Sequence, residues 1–584
     1  MKSNYDKHPF IQVEKVNKSC VEGWQAIAQK LNSHLQYSNK KKKIIAIECY
    51  QGVLHKEVAK AFQDILAHKL WIDAEKLFKD EGVIRNMIYA DLTDDRVFGY
   101  LTRLNIEDYF DEKKLREARE EIDKTSEGVI IVYGSGAGFV ATDFDLLIYA
   151  DMPRWEIQQR MRKNEVNNLG VRNKEADFSE KYKQGYFVDW RVCDRLRKKL
   201  FAQWNYVLDT TIKDQPKLVI ADAIKQGLAK TAAQPFRVVP FFDPGPWGGQ
   251  WMKEVCDLDR SVVNYAWCFD CVPEENSLLL AFGNIKVEVP SINLVFFQPK
   301  NLLGEKAHAR FGEEFPIRFD FLDTMGGGNL SLQVHPLTPY IKEHFGMPYT
   351  QDESYYILDA DTEACVYLGV REDFDKEIFF NNLEKAQEGN TSFNVQQYIN
   401  CWPVKKHDHL SIPAGTIHCS GANTMVLEIS ATPYIFTFKL WDWARPGLDG
   451  KPRPIHLQHG KNVLQENRDS EWVKTNALNL VEEISSGDGW REERTGLNEL
   501  EFIETRRHWF TKKVSHHTNG TVHVLNLVEG QEVIVESPAG AFQPFVVHYA
   551  ETFIVPAIVG EYTIRPCGEA EGKECATIKA YVRC

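Results

Sequence analysis

The segment Asn329-Leu330-Ser331-Leu332-Gln333-Val334-His335-Pro336 decides how the C-terminal part of the chain is interpreted. Its alternating apolar residues predict a β-strand, in which side chains two positions apart share a face. Gln333 and His335 are therefore expected to project together, while Leu332 and Val334 face the other way. Pro336 ends the strand because proline cannot continue a hydrogen-bonded ladder.

Two later segments carry side chains of matching chemistry. Glu353 opens another strand-like run, and His418 follows the turn at Pro413. Together with Gln333 and His335 they supply one carboxylate, two imidazoles and one amide oxygen. This is a suitable ligand set for a divalent metal that keeps a position open for substrate or water.

The composition indicates a folded, multidomain protein. The chain has 584 residues, 43% of them hydrophobic, which suggests three or four domains of about 150 residues each. The formal net charge is −13. The short basic run Lys40–Lys43 precedes an apolar strand, so we interpret it as a solvent-exposed segment that leads into the strand. Without a secretion-signal pattern or a long apolar span, we expect a cytoplasmic protein with no nucleic-acid or membrane partner.

The 12 cysteines agree with a reducing compartment because they are scattered without the spacing of a disulfide framework. The one C-x-x-C pair, Cys268 and Cys271, has no second pair to complete a metal site. Residues three apart on a strand also point to opposite faces. We interpret both as buried structural thiols.

The N-terminal part is predicted to be α/β. Residues 1–40 carry a helix-compatible stretch, Cys20 to Leu35, and residues 41–235 form the α/β domain. Its apolar strands are expected at 44–47, 129–133 and 146–149. They alternate with predicted helices, such as residues 57–68. Unbroken aliphatic strands separated by helices favour a parallel sheet covered on both faces.

The segment after the first strand resembles the strand, loop and helix of uridine-kinase-like P-loop proteins. Leu54, His55 and Lys56 stand where the P-loop pattern requires glycine, lysine and a hydroxyl residue. The resemblance therefore implies a degenerate P-loop-kinase-like fold without kinase activity, and nucleotide binding is not expected there. The alternative is a bifunctional chain with an active kinase, in which these arginines could meet phosphates: Arg154, Arg160 and Arg162.

A glycine-rich turn, Gly134-Ser135-Gly136-Ala137-Gly138, follows the second apolar strand. It lacks the last glycine of the dinucleotide-binding fingerprint, a position that Phe139 occupies. The turn is therefore interpreted as a tight connection without a cofactor. Its backbone N–H groups could still hold an anion.

From residue 236 onward the sequence is rich in short strands and Pro/Gly turns. Many closely spaced strands favour an all-β sandwich or jelly roll. We expect a helical insertion over 374–387 and a polar linker over 487–501. The predicted β domains span residues 236–500 and 501–584.

Five motifs in this order resemble type I mannose-6-phosphate isomerases, which are zinc-dependent cupin enzymes. The motifs are Pro246-Trp247-Gly248-Gly249, Asn329 to Pro336, Glu353 before Tyr355-Tyr356, Ile412 to His418, and Trp441 to Arg445 leading to Pro454-Ile455-His456. The resemblance covers residues 236–584. It implies jelly-roll cupin domains, Zn²⁺ as cofactor, and Arg445 as the catalytic arginine. The zinc ligands that it implies are Gln333, His335, Glu353 and His418.

The implied reaction interconverts mannose 6-phosphate and fructose 6-phosphate through an enediol, so a phosphorylated hexose is the expected substrate. The barrier lies in forming a carbanion beside a carbonyl. Zn²⁺ would polarise that carbonyl and hold the enediolate oxygens. Arg445 would place a planar cation near the developing charge or the phosphate.

One departure from the family concerns Gln351, because these enzymes usually have a lysine two residues before the ligand glutamate. Three glycines, Gly326 to Gly328, also stand where many relatives have charged residues. The missing cation puts the rate or the identity of the substrate in question. Lys342, His344 and Lys439 are the candidates to replace it.

The last domain resembles a second cupin without a metal. His516, His517, His523 and Glu529 only superficially match a cupin ligand set, and Glu561 stands where the first domain has its turn histidine. His516 and His517 point to opposite faces if they lie on a strand.

Two functions of different class remain open. The first is a zinc-dependent aldose–ketose isomerase acting on mannose 6-phosphate, or on a different phosphorylated sugar. The second is a non-catalytic sugar-phosphate-binding cupin protein, in which both Gln351 and the altered loop at His55 reflect lost catalysis.

Overall fold

The structure is a computed structural model and describes residues 3–14, 19–389, 392–446, 450, 453, 455–496, 498–499 and 501–583. Leu500, at the predicted end of the first β domain, and Pro454, in the last motif, lie outside the described residues, as do residues 1–2 and 15–18 of the predicted N-terminal segment. The chain forms two compact units. One contains residues 10–230 and 277–296; the other contains residues 1–9, 231–276 and 297–584. The predicted boundaries at 40, 235 and 500 stay predictions.

The first unit is built on a seven-stranded sheet. In sheet order its strands are Cys20–Glu22, Lys217–Ile220, Tyr206–Asp209, Leu146–Asp151, Lys42–Cys49, Gly128–Gly134 and Leu70–Asp73. The five strands from Tyr206–Asp209 to Leu70–Asp73 are parallel, as their unbroken aliphatic sequences predict. A three-stranded sheet accompanies it, with strands Phe10–Val13, Ser277–Phe282 and Ile285–Pro290.

Helices connect the parallel strands of this unit. The α-helices are Trp24–Gln36, His55–Ile65, Glu81–Leu92, Glu112–Lys124, Ala137–Val140, Arg154–Arg162, Phe178–Gln184, Trp190–Leu200, Ala221–Thr231 and Ile292–Phe297, the last residue of each of the final two belonging to the other unit. The α/β character is thus present, whereas kinship with P-loop kinases stays a prediction. Residues 1–40, predicted to be helical, contain two short strands before the helix that begins at Trp24, because Phe10–Val13 and Cys20–Glu22 extend existing sheets.

The glycine-rich turn binds a carboxyl group that belongs to the protein itself. The N–H groups of Gly136 and Gly138 donate to the two carboxylate oxygens of Glu48, each over 2.8 Å. Burial raises the pKa of Glu48 to about 8, although these two N–H groups act in the opposite direction. The N–H groups of Gly136 and Gly138 are therefore already engaged by a side chain of the protein.

In its described residues the second unit contains four antiparallel sheets, in agreement with the predicted all-β architecture. A six-stranded sheet comprises His409–Ile412, Glu353–Ala360, Thr424–Ala431, Ile317–Asp323, Trp267–Cys271 and Phe241–Asp243. A five-stranded sheet comprises Ile399–Pro403, Cys365–Val370, His418–Ser420, Leu332–Val334 and Phe438–Trp441.

The other two sheets form the C-terminal part. A six-stranded sheet comprises Val481–Gly487, Trp490–Thr495, Ile503–Phe510, Cys575–Val582, His523–Glu529 and Thr552–Val555, and a four-stranded sheet comprises Val514–His517, Glu561–Pro566, Glu532–Glu536 and Phe545–His548. Their apolar faces share one core that includes Phe510, Leu525, Val535, Phe553 and Ile564.

Short helices connect the strands of this unit. They are Trp251–Val255, Pro299–Leu303, Glu305–Phe311, Thr338–Phe345, Lys376–Gln387, Leu457–Val463 and Ser470–Asn476. Lys376–Gln387 is the predicted helical insertion, shortened by two residues at its start because Asp375 caps it by accepting from Ile378 N–H. No described helix in the chain combines the length and the apolar character that crossing a bilayer requires.

The predicted linker over 487–501 is wrong, because this polar stretch contains the strand Trp490–Thr495. Charged cross-strand pairs explain why so polar a sequence is extended. Arg507 Nε donates to Glu493 over 2.7 Å, and Arg494 pairs with Glu482 on the other neighbouring strand. Opposite charges facing each other across a ladder stabilise it, although alternation of apolar residues is absent.

Candidate metal centre

The strand Leu332–Val334 and its two neighbouring strands place three polar side chains on one side of the five-stranded sheet. Gln333 lies directly opposite His418 on one neighbouring strand and opposite Lys439 on the other. Residues directly opposed in an antiparallel ladder point to the same face. The strand is shorter than the predicted 329–336 segment, so His335 follows it immediately instead of lying within it.

The turn before His418 is fixed by contacts with both other parts of the site. Gly415 N–H donates to the carbonyl of His335 over 2.9 Å, and Ala414 N–H donates to Asp352 Oδ1 over 2.8 Å. Gly415 has φ +84°, and a Cβ at this position would lie 2.6 Å from Cγ of Gln465. Glycine is therefore required for the turn to connect these segments.

Three side chains converge on one point. His418 Nε2 lies 2.6 Å and His335 Nε2 lies 3.2 Å from the same Oε1 atom of Glu353. The ligand atoms of the three residues lie within 4.8 Å of one another, and all three residues are at most 1% exposed. The side-chain amide of Gln333 joins them, with its nitrogen 3.2 Å from His418 Nε2.

The hydrogen-bond pattern of these residues fits a metal ion. His418 Nδ1 lies 2.9 Å from the carbonyl of Thr416, so Nδ1 carries a proton and Nε2 is the nitrogen that can bind a metal. Within the described residues, neither ring nitrogen of His335 nor Oε1 of Glu353 has a hydrogen-bond partner. Buried polar atoms without partners cost about 1–3 kcal/mol each, which a divalent cation between them would recover.

The electrostatics favour an ionised carboxylate. Burial raises the pKa of Glu353, but His335 and His418 lower it more, so the net pKa is well below the usual range of a glutamate. An ionised oxygen and two imidazole nitrogens are the ligand types that zinc prefers.

Gln351 contacts the oxygen of Glu353 that does not face the two histidines. Its side-chain amide nitrogen donates to Oε2 of Glu353 over 3.2 Å and to Oε1 of Glu428 over 3.1 Å. Burial, followed by the charges of Asp320 and Glu353, raises the pKa of Glu428. A neutral amide therefore connects the carboxylate of the cluster to a second buried acid.

Sequence reasoning missed this second group of buried charges. Arg318 lies 3.4 Å from Asp320 and 3.8 Å from Glu428, and its guanidinium stacks over the ring of Tyr434 at 4.4 Å. Burial raises the pKa of Asp320 to about 6. Glu428 is the one charged residue in the strand Thr424–Ala431, all of whose residues are buried, and this isolated charge in an uncharged strand is the signal that could have indicated the group.

Arg445 lies on the loop that follows the strand Phe438–Trp441. It donates to Asp442 Oδ1 through Nε at 3.2 Å and Nη2 at 2.9 Å, and Arg453 Nη1 donates to the same oxygen over 3.1 Å. A Cβ added to Gly328 would lie 3.3 Å from Nη1 of Arg445. Its described polar contacts are therefore with Asp442 and not with the three clustered side chains.

Among the three cations considered as replacements for the expected lysine, Lys439 is the one that lies on a strand beside Gln333. It is partly buried and opposes Gln333 in the ladder, whereas Lys342 and His344 are exposed on the helix Thr338–Phe345. Burial, with Arg453 and Arg445, lowers the pKa of Lys439 to about 7. The position of the cation thus depends on strand pairing that the sequence did not reveal.

The residues of the C-terminal sheets that superficially match a metal-ligand set do not come together at one site in the described part of the chain. His516 is buried and His517 exposed, as their positions on one strand predict. Glu529 accepts from Lys406 over 2.6 Å and lies 3.1 Å from His407 Nε2, while Glu561 is exposed. His516 and His523 both contact the ring of Tyr562, but among the described residues these five side chains form no group that could hold a metal ion.

The loop at His55 in the other unit lies beside a cavity of about 680 Å³ lined by residues that include Gly52, His55, Lys56, Glu75 and Lys213. His55 Nε2 pairs with Glu75 Oε1 at 3.2 Å. The cavity lining therefore contains two basic side chains, Lys56 and Lys213, as well as the acidic side chain of Glu75.

The three arginines that could meet phosphates in the kinase alternative have contacts within the protein. Arg160 donates to the carbonyls of Gly52 at 2.9 Å and Thr210 at 2.7 Å. Arg154 pairs with buried Asp194 at 2.6 Å. The guanidinium of Arg162 lies over the ring of Phe178 at 4.7 Å.

Comparison with known families gives a match in the N-terminal part. Residues 23–233 match a family described as "Domain of unknown function (DUF8485)". The description of this family does not assign an activity to the matched residues.

Three curated proteins are similar to part of the chain, and all are mannose-6-phosphate isomerases by description. The Streptococcus mutans enzyme is 23% identical over 41% of this chain and 72% of its own length. The Bacillus subtilis enzyme ManA is 28% identical over 26% of this chain and 45% of its own length, and the probable isomerase GmuF of the same organism is also 28% identical, over 26% and 45%. The chain thus covers less than half of the two Bacillus relatives.

Solved structures of such enzymes show limited similarity. A Bacillus subtilis mannose 6-phosphate isomerase superposes with a TM-score of 0.47 and 18% identity, covering 60% of this chain and all of that chain. A zinc-bound mannose 6-phosphate isomerase gives a TM-score of 0.45 and 15% identity over the same share of each chain.

Proposed function

We propose that this chain is a zinc-dependent isomerase that interconverts mannose 6-phosphate and fructose 6-phosphate. The observation that carries the proposal is the buried convergence of His335, Glu353 and His418 with unpartnered ligand atoms. The sequence similarity to curated mannose-6-phosphate isomerases supports it.

The residues that would hold the metal are His335, Glu353 and His418, with Gln333 as a fourth ligand through its amide oxygen. The side-chain amide nitrogen of Gln333 lies 3.2 Å from His418 Nε2. Rotating the amide by about 180°, so that its oxygen and nitrogen change places, would point the oxygen at the metal. Bound there, zinc would supply Lewis-acid polarisation of the sugar carbonyl.

The chain's own cations would complete the site. Lys439 projects to the same face as Gln333, and we assign it the role of stabilising negative charge on the sugar oxygens as the enediol forms. Arg445 and Arg453 share Asp442, which fixes both guanidinium groups in a region suited to bind the phosphate.

Gln351 limits what the site can do in a specific way. Because its amide is neutral, it orients Glu353 without adding positive charge, unlike the lysine expected there. This favours a second candidate function, namely binding of a phosphorylated sugar without turnover. A phosphorylated sugar other than mannose 6-phosphate is the third option.

The decisive experiment loads the purified full-length chain with zinc and measures fructose 6-phosphate formation from mannose 6-phosphate with a coupled assay. The same assay, followed by ¹H NMR of the anomeric region, is repeated with other aldose 6-phosphates. We expect turnover in the wild type, loss of turnover in Glu353→Gln, and wild-type turnover in His344→Gln, whose side chain is exposed.

Each outcome separates the candidates. Stoichiometric zinc with saturable binding of mannose 6-phosphate but no turnover on any sugar would contradict the isomerase and support the binding protein. Turnover on another sugar phosphate alone would change the substrate and keep the reaction class.

A further inference from the structure

Two cysteine thiols face each other at the edge of the five-stranded sheet. Cys401 Sγ lies 2.7 Å from Cys365 Sγ. Cys365 opens the strand Cys365–Val370, and Cys401 lies on its neighbour Ile399–Pro403. The separation is shorter than two unbonded sulfur atoms normally adopt, and it is longer than the S–S bond length of about 2.05 Å, so the two thiols are in contact and not bonded.

The strand register explains how the two thiols meet. Cys401 opposes Tyr367, and Cys365 opposes Pro403, so the two cysteines are diagonal neighbours on one face of the ladder. Diagonal neighbours in antiparallel sheets are close enough for side chains to touch. The contact therefore follows from the pairing of the two strands and not from nearness in sequence.

The surroundings leave room for the sulfur atoms. A Cβ added to Gly421 would lie 2.8 Å from Cys365 Sγ, so a residue larger than glycine would crowd this thiol. Gly421 also donates its N–H to the carbonyl of Cys365 over 2.9 Å. Both cysteines are partly exposed, unlike the neighbouring Cys419, and a small reagent can therefore reach them.

We propose that Cys365 and Cys401 are a redox modification site that forms an intramolecular disulfide by exchange with a low-molecular-weight disulfide such as oxidised glutathione. The thiolate of one cysteine attacks the reagent, forming a mixed disulfide and releasing one glutathione thiolate. The second cysteine loses its proton to water and attacks the protein sulfur of the mixed disulfide, releasing the second thiolate, and the released thiolates take up protons. Two protein thiols are thus oxidised while one oxidised glutathione is reduced to two thiols.

The crosslink would close a loop that contains the helix Lys376–Gln387. It would also join the edge strand Ile399–Pro403 to the strand Cys365–Val370, which pairs directly with the strand of His418. Because a disulfide restricts the unfolded chain, oxidation is expected to raise the midpoint of thermal unfolding by about 5 °C.

The test treats the reduced full-length chain with oxidised glutathione, blocks the remaining thiols and maps disulfides by mass spectrometry of peptides under non-reducing conditions. The expected product is a Cys365–Cys401 linked peptide pair whose mass is lower by two hydrogen atoms than that of the two thiol peptides. In Cys401→Ser the reaction should stop at a glutathione adduct on Cys365, which shows that exchange reaches this thiol. The thermal shift should disappear in Cys365→Ser and Cys401→Ser.

Cys567→Ser is the matched control, because Cys567 is also partly exposed and lies on a different part of the chain. It should keep the linked peptide pair and the thermal shift. Stable glutathione adducts on both Cys365 and Cys401 of the wild type, or pairing of either with a different cysteine, would overturn the proposal. The same holds if the wild type stays fully reduced in oxidised glutathione while a model thiol peptide reacts.

Discussion

The side-chain amide nitrogen of Gln351 lies 3.2 Å from Oε2 of Glu353, the carboxylate whose other oxygen faces His335 and His418. The same nitrogen reaches Glu428. This bond fixes the orientation of the carboxylate and leaves Oε1 directed at the two histidines.

Replacing Gln351 by leucine removes that bond while keeping a side chain of similar size. We expect zinc affinity to fall by about 10- to 100-fold, because groups that orient a metal ligand contribute on that scale. Competition with a chromogenic chelator measures the change. Gln351→Lys, which can donate to both carboxylates, should bind zinc more tightly than the leucine variant; equal affinities for all three chains would contradict the role of Gln351.

Replacing Lys439 by methionine should lower kcat/KM by about 100-fold or more, because it removes a cation from the face that carries Gln333. Zinc content should not change, since Lys439 is not among the proposed ligands. Steady-state kinetics with parallel metal analysis test this. Lys342→Met is the matched control, because Lys342 is exposed; a fully active Lys439→Met would remove this residue from the mechanism.

Removing the metal should destabilise the folded chain. A ligand present at 100 times its dissociation constant stabilises the native state by about 2.7 kcal/mol, so dialysis against a chelator should lower the unfolding midpoint and added zinc should restore it. His418→Ala should show no zinc-dependent shift, whereas His344→Gln should behave as the wild type. A His418→Ala chain that responds fully to zinc would place the metal elsewhere.

Stability should fall below about pH 6.5 because of two buried histidines in the C-terminal sheets. Burial lowers the pKa of His516 and of His523, so both are neutral in the folded chain. Below pH 6.5 the unfolded chain binds more protons, and each histidine then costs about 1.4 kcal/mol per pH unit. The titratable groups near them are His508, His517, Tyr562, Lys579, Tyr581 and Glu492.

Chemical denaturation at pH 7 and pH 5.5 measures this slope. His516→Gln should reduce the slope whatever its stability at pH 7. His517→Gln should leave the slope unchanged, because His517 is exposed on the opposite face of the same strand. An unchanged slope in His516→Gln would show that His516 is not responsible.

Nucleotide should not bind the altered loop. The cavity beside it combines Lys56 and Lys213 with Glu75, which already pairs with His55, and Arg160 is bound to the carbonyl of Gly52. Millimolar ATP with Mg²⁺ should therefore leave the thermal unfolding of the full chain unchanged. A saturable rise in the unfolding midpoint, abolished in Lys56→Ala, would instead support the kinase alternative.

The sequence by itself determined the local features of this protein. The alternation around Gln333 places this side chain and the one two residues later on the same side, and the same period separates His516 from His517. The aliphatic strands around residues 44–47 and 129–133 predicted a parallel sheet, and parallel pairing is observed. These predictions need only the geometry of one strand, which depends on residues close together in the chain.

Only the tertiary structure decided which distant residues meet. Glu353 lies on a different sheet from His418, Lys439 opposes Gln333 through strand pairing, and Cys401 reaches Cys365 across a ladder. Salt bridges gave the polar strand at Trp490 its order, which apolar periodicity could not indicate. Strand register and the packing of sheets are set by the whole core, so residues far apart in sequence become neighbours for reasons that no local pattern contains.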